Sequence, residues 1–176
     1  HMQTLYIGID NPLVISGLSI PENQVKISSN NGTVTNINNT WIARPSSVGN
    51  AIITFTDLKG DNKTEFRFNA KYIPDPVITI ADSKGGRMAV DKFKNSRQLD
   101  IDPDWEITGF VIYITGNGFE KPAFKQVINS NQYNASVLEL VSKVLPGTTI
   151  TFDEVRVKLK NGNLKKSMPG IFLTLY

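Results

Sequence analysis

The segment 73–76, Ile-Pro-Asp-Pro, constrains the fold of this chain more than any other feature. Each proline fixes φ near −65° and lacks an amide hydrogen, and the residue before a proline is pushed toward extended geometry. An alternating apolar run ends just before the segment, and another apolar run begins just after it. We therefore predict a stiff connector in which Pro74, Asp75 and Pro76 form an interdomain hinge. A proline-bounded strand edge inside one domain is the alternative interpretation.

The residues before this connector show a β-pattern. Short apolar runs recur every 8–12 residues and are separated by turn signals such as Asn31-Gly32, which is the spacing of a β-sandwich. In the run 65–72 aromatic and small side chains alternate with polar ones, so one face is buried and the other is wet. We predict an immunoglobulin-like β-sandwich over residues 3–74. Its predicted strands are Leu5–Ile9, Leu13–Ile15, Val25–Ser28, Thr33–Ile37, Thr40–Ala43, Ala51–Thr56 and Glu65–Tyr72.

Residues 75–176 predict a C-terminal β-rich domain with a short helix near 135–145. Ser136 and Glu139 have the spacing of a capping box, and Pro146-Gly147 is a helix stop. Both faces of the run 106–115 are apolar, which favours a central position in a sheet. The other predicted strands are Val77–Ala81, Met88–Val90, Thr149–Lys160 and Ile171–Leu175, with a hairpin turn at Asn161-Gly162. The predicted fold class is all-β: two tandem immunoglobulin-like β-sandwich domains, the second with one short α-helix.

The composition excludes several kinds of chemistry. The chain has no cysteine, so disulfides, thiol catalysis and cysteine metal sites are excluded. Its single histidine is His1, and His1-Met2 is typical of a cloning scar, so we expect residues 1–2 to be foreign and the chain to be an excised portion or a mature form of a longer protein. Histidine-based acid–base catalysis and most zinc, copper and haem ligation are therefore disfavoured. No nucleophile motif or phosphate-binding glycine loop is present. We expect a non-enzymatic protein with no cofactor.

The densest carboxylate cluster is the segment 100–106, Asp-Ile-Asp-Pro-Asp-Trp-Glu. It begins like a calcium loop, with oxygen ligands at alternate positions. Trp105 replaces the glycine expected at the sixth position, and Val111 stands where a bidentate acid is expected. A solvated acidic turn, anchored to the core by Trp105, is the simpler interpretation. We expect no metal site here.

A basic tract in the second half is the best candidate for partner binding. The net charge of +3 comes from residues 76–176, which have 13 basic and 10 acidic side chains. Arg156, Lys158 and Lys160 alternate with apolar residues and share one strand face, and we expect Lys165 and Lys166 to extend that patch across the turn. Such a patch would steer an acidic partner in a salt-dependent way. Alternating lysines that protect an exposed strand from aggregation are the other interpretation. Aromatic side chains do not interleave with the cations, which disfavours nucleic acid.

Several motifs, in their order and spacing, resemble the C-terminal periplasmic region of the GldM/PorM family of the type IX secretion and gliding machinery. They are Tyr6-Ile-Gly8 followed by Asp10-Asn-Pro12, the Asn31-Gly32 hairpin, the aromatic-basic-aromatic strand before the connector and the Gly85-Gly86 pair after it, and, further on, a Phe110-centred strand, a short helix, Pro146-Gly147 and a glycine-containing hairpin. The resemblance covers almost the whole chain.

This resemblance implies a function that composition and periodicity do not. Family members have one transmembrane helix and a long periplasmic rod that forms a homodimer, in Bacteroidota. Their last domains are immunoglobulin-like, and the distal domain contacts an outer-membrane-associated ring of lipoproteins. The resemblance implies that this fragment couples an inner-membrane motor partner to that ring, with no membrane contact of its own. An alternative remains: a stand-alone envelope module that binds a ligand, for example a glycan, through Tyr113, Phe119, Phe124 and Tyr133.

Overall fold

A computed structural model describes residues 3–14, 24–59, 62–117 and 119–176, without the side chains of residues 120–123. The predicted cloning scar at His1-Met2, the end of the predicted strand at Ile15, and Gly60-Asp61 lie outside the described residues. The chain divides into two compact units, residues 1–74 and 75–176.

The first unit is a two-sheet sandwich. In its described residues the strands are β1 (Gln3–Ile7), β2 (Asn11–Leu13), β3 (Val25–Ser29), β4 (Thr33–Ile37), β5 (Thr40–Arg44), β6 (Gly49–Asp57) and β7 (Lys63–Tyr72). One sheet has the order β1-β7-β6-β3 and the other β2-β5-β4. The β1–β7 pair is parallel, whereas the other pairs are antiparallel. This partition, with the first strand beside the last, is immunoglobulin-like.

The core of the first unit follows from the alternation along its strands. Ile53 and Phe55 on β6 are almost completely buried, while Thr54 between them is half-buried. The Phe55 ring meets Phe66 and Trp41 edge-on, with ring centroids 5.5 and 6.5 Å apart. Such edge-to-face pairs stabilise an apolar core beyond the area that they bury. Leu5, Ala43, Ala51, Phe68 and Ala70 complete this cluster.

The second unit is built on one broad sheet. Its described elements are β8 (Ile78–Thr79), β9 (Gly86–Met88), α1 (Val90–Lys94), β10 (Asp100–Ile101), β11 (Trp105–Gly116), β12 (Phe119–Ile128), α2 (Ala135–Lys143), β13 (Thr149–Leu159), β14 (Lys165–Met168) and β15 (Ile171–Leu175). The broad sheet has the order β12-β11-β13-β15-β9, with β14 beside the second half of β13. β10 and β8 form a separate pair.

One face of the broad sheet is buried. Phe110 of β11 and Phe152 of β13 have ring centroids 5.6 Å apart, and the Tyr133 ring stacks on Phe152 at 6.1 Å. The Ser96 hydroxyl lies 3.3 Å from the Tyr133 hydroxyl, so this buried phenol has a hydrogen-bond partner. Burial raises the pKa of Tyr133 above its usual range. We call this side the core face.

The all-β fold class predicted from the sequence is confirmed. The central position predicted for the strand at 106–115 is also confirmed, because β11 lies between β12 and β13. The Asn161-Gly162 turn does join a hairpin, β13–β14, in which the Leu159 amide donates to the Leu164 carbonyl.

Four local predictions were wrong. Asn31-Gly32 does not join a hairpin, because β3 pairs with β6 and β4 with β5. The strand expected at 88–90 ends at Met88, and α1, a second helix in addition to the predicted one, begins at Val90.

The last two errors concern helix α2 and strand β12. Asn134, not Ser136, caps α2, with its side-chain oxygen accepting from the Val137 amide at 2.9 Å. The expected capping partner Glu139 pairs instead with Lys143. Strand β12 was missed because Pro122 interrupts its pattern, and proline is tolerated in this strand because it lies at the edge of the sheet.

Candidate functional site

The side of the broad sheet opposite its core face carries the candidate site. Directly paired residues on neighbouring strands share a face, and every second residue along a strand does so. These two rules define the outer face, whose members are half-buried or exposed except Val111. Its residues are Arg87, Glu106, Thr108, Val111, Tyr113, Thr115, Lys125, Val127, Thr149, Thr151, Asp153, Arg156, Lys158, Lys165, Ser167, Phe172 and Thr174.

Three of the five predicted cations meet on the outer face. Arg156 and Lys158 alternate on β13, and Lys165 of β14 lies directly opposite Lys158. The register therefore brings cations from two strands together around a shallow, open depression of about 760 Å³. We call Arg156, Lys158 and Lys165 the basic patch.

Gly109 of β11 determines the position of the Arg156 side chain. A Cβ at this glycine would lie 2.2 Å from a guanidinium nitrogen of Arg156 and 2.6 Å from the Ile128 carbonyl oxygen. The absence of a side chain at the bulge in β11 thus leaves room for the guanidinium, which extends to the Asn129 side-chain oxygen at 3.4 Å.

Lys166 does not belong to the basic patch. It is paired with Val157, so it points to the core face, as successive residues of a strand must alternate. Its ammonium forms an ion pair with Asp75 and lies 5.6 Å from the centroid of the Trp105 ring. The side chain is 25% exposed, compared with 69% for Asp75. Lys166 thus holds the start of the second unit against its core.

Lys160 lies past the end of β13 and is also used structurally. Its ammonium donates to the Pro103 carbonyl at 2.6 Å, and its amide donates to the Asp104 carbonyl at 2.9 Å. Both hydrogen bonds connect the acidic turn at Pro103 and Asp104 to the C-terminal end of β13. The five cations predicted as one patch therefore separate into three on the outer face and two that hold loops.

Two acids moderate the charge of the outer face. Glu106 of β11 lies across from Lys158, with the carboxylate 3.7 Å from the ammonium, and Asp153 is on the same face of β13. The sequence has no acid after Arg156, which suggested a purely basic surface. The two acids come instead from Glu106, on a strand 50 residues earlier, and from Asp153, just before Arg156. A pair this exposed stabilises the fold little, so Lys158 keeps most of its capacity to bind an anion.

The outer face turns from basic to apolar along β13. Tyr113, Thr151 and Phe172 form one row across β11, β13 and β15. The Lys125 ammonium lies 5.4 Å from the centroid of the Tyr113 ring, and contact with Tyr113 raises the pKa of Lys125 above its usual value. Phe172 is 56% exposed.

The four aromatic residues considered for glycan binding do not converge. Tyr133 is buried on the core face and Tyr113 is on the outer face. Phe124 is paired with Ile114 and therefore points toward the core face, and Phe119 is half-buried opposite Gly116. The arrangement offers no shared aromatic platform made of these residues.

The acidic segment 100–106 has structural partners. Asp102 accepts a hydrogen bond from the Val77 amide at 2.8 Å, and Asp100 accepts one from the Gln98 side chain at 2.7 Å. Trp105 is 4% exposed, so it anchors the turn as expected. Among the described residues, no three acidic, histidine or cysteine side chains converge closely enough to hold a metal ion.

The second half of the proline connector is fixed to the second unit. Asp75 is bound by Lys166, Pro76 is buried, and the Val77 amide is bound by Asp102. Pro74, the last residue of the first unit, is exposed. Asp75 and Val77 are therefore held by side chains of their own unit.

In the first unit, the Asp-Asn-Pro motif is structural. Asn11 is 8% exposed, accepts from the Tyr6 amide at 2.7 Å and donates to the Ala43 carbonyl at 3.0 Å, which joins the segment between β1 and β2 to β5. Asp10 receives two hydrogen bonds from the Arg44 guanidinium, at 2.6 and 3.0 Å. These bonds hold the pKa of Asp10 below its usual value.

Our interpretation of the sequence gave no binding role to Phe172 or Glu106, two members of the outer face that matter for the site. Phe172 alternates with the buried residues Ile171 and Leu173, and this pattern alone could have placed it on a wet face. Glu106 had no such signal as a neighbour of Lys158, because strand pairing between β11 and β13 is not encoded locally.

A family model matches part of this chain. Residues 1–71 match the model of the GldM third domain. The search of curated proteins finds no match to this chain. Within the described ranges, neither helix has the length and apolar character that crossing a bilayer requires.

Two solved structures are similar at low identity. Domains 4 and 5 of the S-layer protein SbsC are 13% identical, with 86% of this chain and 70% of that chain covered and a TM-score of 0.31. The fibronectin(III)-like modules of CbhA from Clostridium thermocellum are 14% identical, with 99% of this chain and 89% of that chain covered and a TM-score of 0.25.

Over residues 1–71, which are less than half of the chain, the resemblance found in the sequence is confirmed: these residues are similar to the GldM third domain.

Proposed function

We propose that this chain is a non-enzymatic coupling module of a GldM-like type IX secretion component. In this proposal it lies in the periplasm, forms a homodimer, and links an inner-membrane motor to outer-membrane-associated ring lipoproteins. The first unit is the structural part, and the second unit binds the partner through its outer face. The family match over residues 1–71 supports the assignment to the secretion machinery.

The basic patch is the observation that carries the binding role. If its cations only protected an exposed strand edge, they would lie on edge strands. Arg156 and Lys158 instead lie on β13, which is paired on one side by β11 and on the other by β14 and β15. Of the three, Lys165 alone is on a strand with one described neighbour. A protective role therefore accounts for Lys165 and leaves the other two cations for an acidic partner.

The connector fits a module that transmits force. Asp75 and Val77 are bound to side chains of the second unit, and Pro74 and Pro76 have fixed φ angles. In the proposal, bending is confined to the few bonds at Pro74, and the segment 75–77 moves with the second unit.

The proposal is tested by capturing partners from the envelope of a bacterium that has a type IX secretion system. The full chain is immobilised, and recovered proteins are identified by mass spectrometry at low and at physiological salt. We expect an acidic outer-membrane lipoprotein whose recovery falls as salt rises. The variant Lys158→Glu/Lys165→Glu should lose it, whereas Lys84→Glu/Lys92→Glu, which changes the net charge equally at exposed sites outside the outer face, should retain it. Light scattering should show a dimer.

Equal recovery by the two double variants would refute binding through the basic patch. Arg156 is left unchanged in these variants because its guanidinium packs at Gly109, where a replacement would disturb the sheet. Circular dichroism of each variant confirms that the fold is intact.

A further inference from the structure

The basic patch is one end of a longer uncovered surface. Lys158 and Thr151 are seven residues apart on β13, which is at most about 23 Å at 3.3 Å per residue. The row of Thr151 contains Tyr113 and Phe172. An apolar row therefore lies within reach of a short extended peptide of about seven residues that also contacts the cations. The two ends belong to the same sheet and have a fixed separation.

The apolar end is accessible. Phe172 is 56% exposed and Val127 is 54% exposed, although the neighbouring residues on the opposite side of the same strands are buried. The aromatic clusters of the unit, Phe110, Tyr133 and Phe152, are all on the core face. Among the described residues of this unit, no side chain of α1 or α2 takes part in the aromatic contacts of the outer face, such as that between Lys125 and Tyr113.

Cations continue beside the apolar row. Lys125 lies over Tyr113, and Arg87 of β9 lies opposite Thr174, with its guanidinium 4.7 Å from the centroid of the Tyr176 ring. The exposed aromatic rings are therefore bordered by positive charge. Asp153 and Glu154 lie near enough to Lys125 to favour its charged form. A purely apolar partner would desolvate Lys125 and Arg87 without adding an anion, whereas an acidic segment would supply one.

We propose that the outer face binds an acidic, extended polypeptide segment that carries an aromatic anchor. Its carboxylates contact Lys158 and Lys165, and its aromatic side chain packs on Phe172 in the row of Tyr113, about seven residues away. The proposal rests on the proposed function and specifies the chemistry of the partner. Charge complementarity selects the acidic segment, and the exposed aromatic row selects the anchor.

Two labelled polymers of matched length test this proposal by fluorescence anisotropy with the full chain. One is poly-L-glutamate, and the other is a random copolymer of glutamate and tyrosine. The copolymer has the lower charge density, so electrostatics alone predicts that it binds more weakly. We expect it to bind about tenfold more tightly, because its tyrosines reach the apolar row.

Substitutions show which residues account for the tighter binding of the copolymer. Phe172→Ser should remove the advantage of the copolymer and leave poly-L-glutamate binding unchanged. Tyr72→Ser, at a 66% exposed position of the first unit, is the matched control and should retain the advantage. Lys158→Glu/Lys165→Glu should weaken the binding of both polymers by about tenfold or more.

The outcomes separate the two proposals. If the copolymer binds no more tightly, or if Phe172→Ser retains the gain, the aromatic anchor is refuted while the acidic-partner function stands. If Lys158→Glu/Lys165→Glu leaves poly-L-glutamate binding unchanged, the proposed function itself is refuted.

Discussion

The two units differ in where their most distinctive polar side chains lie. In the first unit, Asn11 and Asn31 are almost completely buried and hydrogen-bonded to backbone groups of neighbouring strands and turns. The second unit also buries Ser96 and Thr148. Its Lys158 and Lys165, however, are on the outer face, where Lys158 has only a partly exposed ion pair with Glu106. Motifs that make the first unit recognisable thus maintain its fold, whereas the second unit has polar chemistry available for a partner.

The architectures explain this difference. Each sheet of the first unit packs its inner face against the other sheet. Polar side chains that are buried at this interface must therefore find hydrogen-bond partners within the unit. The second unit places one broad sheet over a core of Phe110, Tyr133 and Phe152, and the other side of that sheet stays open. An uncovered sheet face with cations and aromatic residues is a binding surface or an aggregation hazard.

The largest expected effect sharpens the contrast between the two faces of the second unit. Phe152→Ala should destabilise this unit by about 3–5 kcal/mol, because it leaves a cavity beside Phe110 and Tyr133. Phe172→Ala, on the neighbouring strand but on the outer face, should change stability by no more than about 0.5 kcal/mol. Urea unfolding of both variants measures the difference. Equal losses would show that the outer face is packed, which contradicts its assignment as a free surface.

A smaller effect is expected in the first unit. Asn11→Ala should destabilise it by about 1–3 kcal/mol, because the Tyr6 amide and the Ala43 carbonyl lose their partner. Asn36→Ala, at an exposed position of β4, is the matched control and should be nearly neutral. Thermal unfolding followed by circular dichroism makes the measurement. A neutral Asn11→Ala would mean that the motif is not structural, and the contrast between the units would fail.

The smallest effect is a pH dependence of the first unit. Hydrogen bonds from Arg44 lower the pKa of Asp10 in the folded state, so the unfolded state takes up the proton first as the pH falls. The stability that Asp10 contributes is therefore present above its ordinary value of 3.8 and is lost as the pH falls below it. Wild type should exceed Asp10→Asn slightly in melting temperature at neutral pH and approach it in acid. A constant difference across the pH range would exclude this linkage.

Alternation predicted most strands to within a few residues. The strand predicted at 171–175 coincides with β15, and the strand predicted at 33–37 coincides with β4. Prediction failed where a proline interrupted the pattern, at β12, and where a short helix replaced an expected strand, at α1. The candidate site was predicted in part: alternation put Arg156 and Lys158 on one face, and it could also have put Lys166 on the other.

The amino-acid sequence by itself determined which residues form strands, which side of each strand is apolar, and which chemistry is excluded by the lack of cysteine. It determined these because the two-residue period of a strand is local. Tertiary structure decided which strands are neighbours, and so placed Glu106 beside Lys158, Lys165 opposite Lys158, and Phe172 in the row of Tyr113. Those pairings depend on contacts between residues far apart in the chain, which no local pattern encodes.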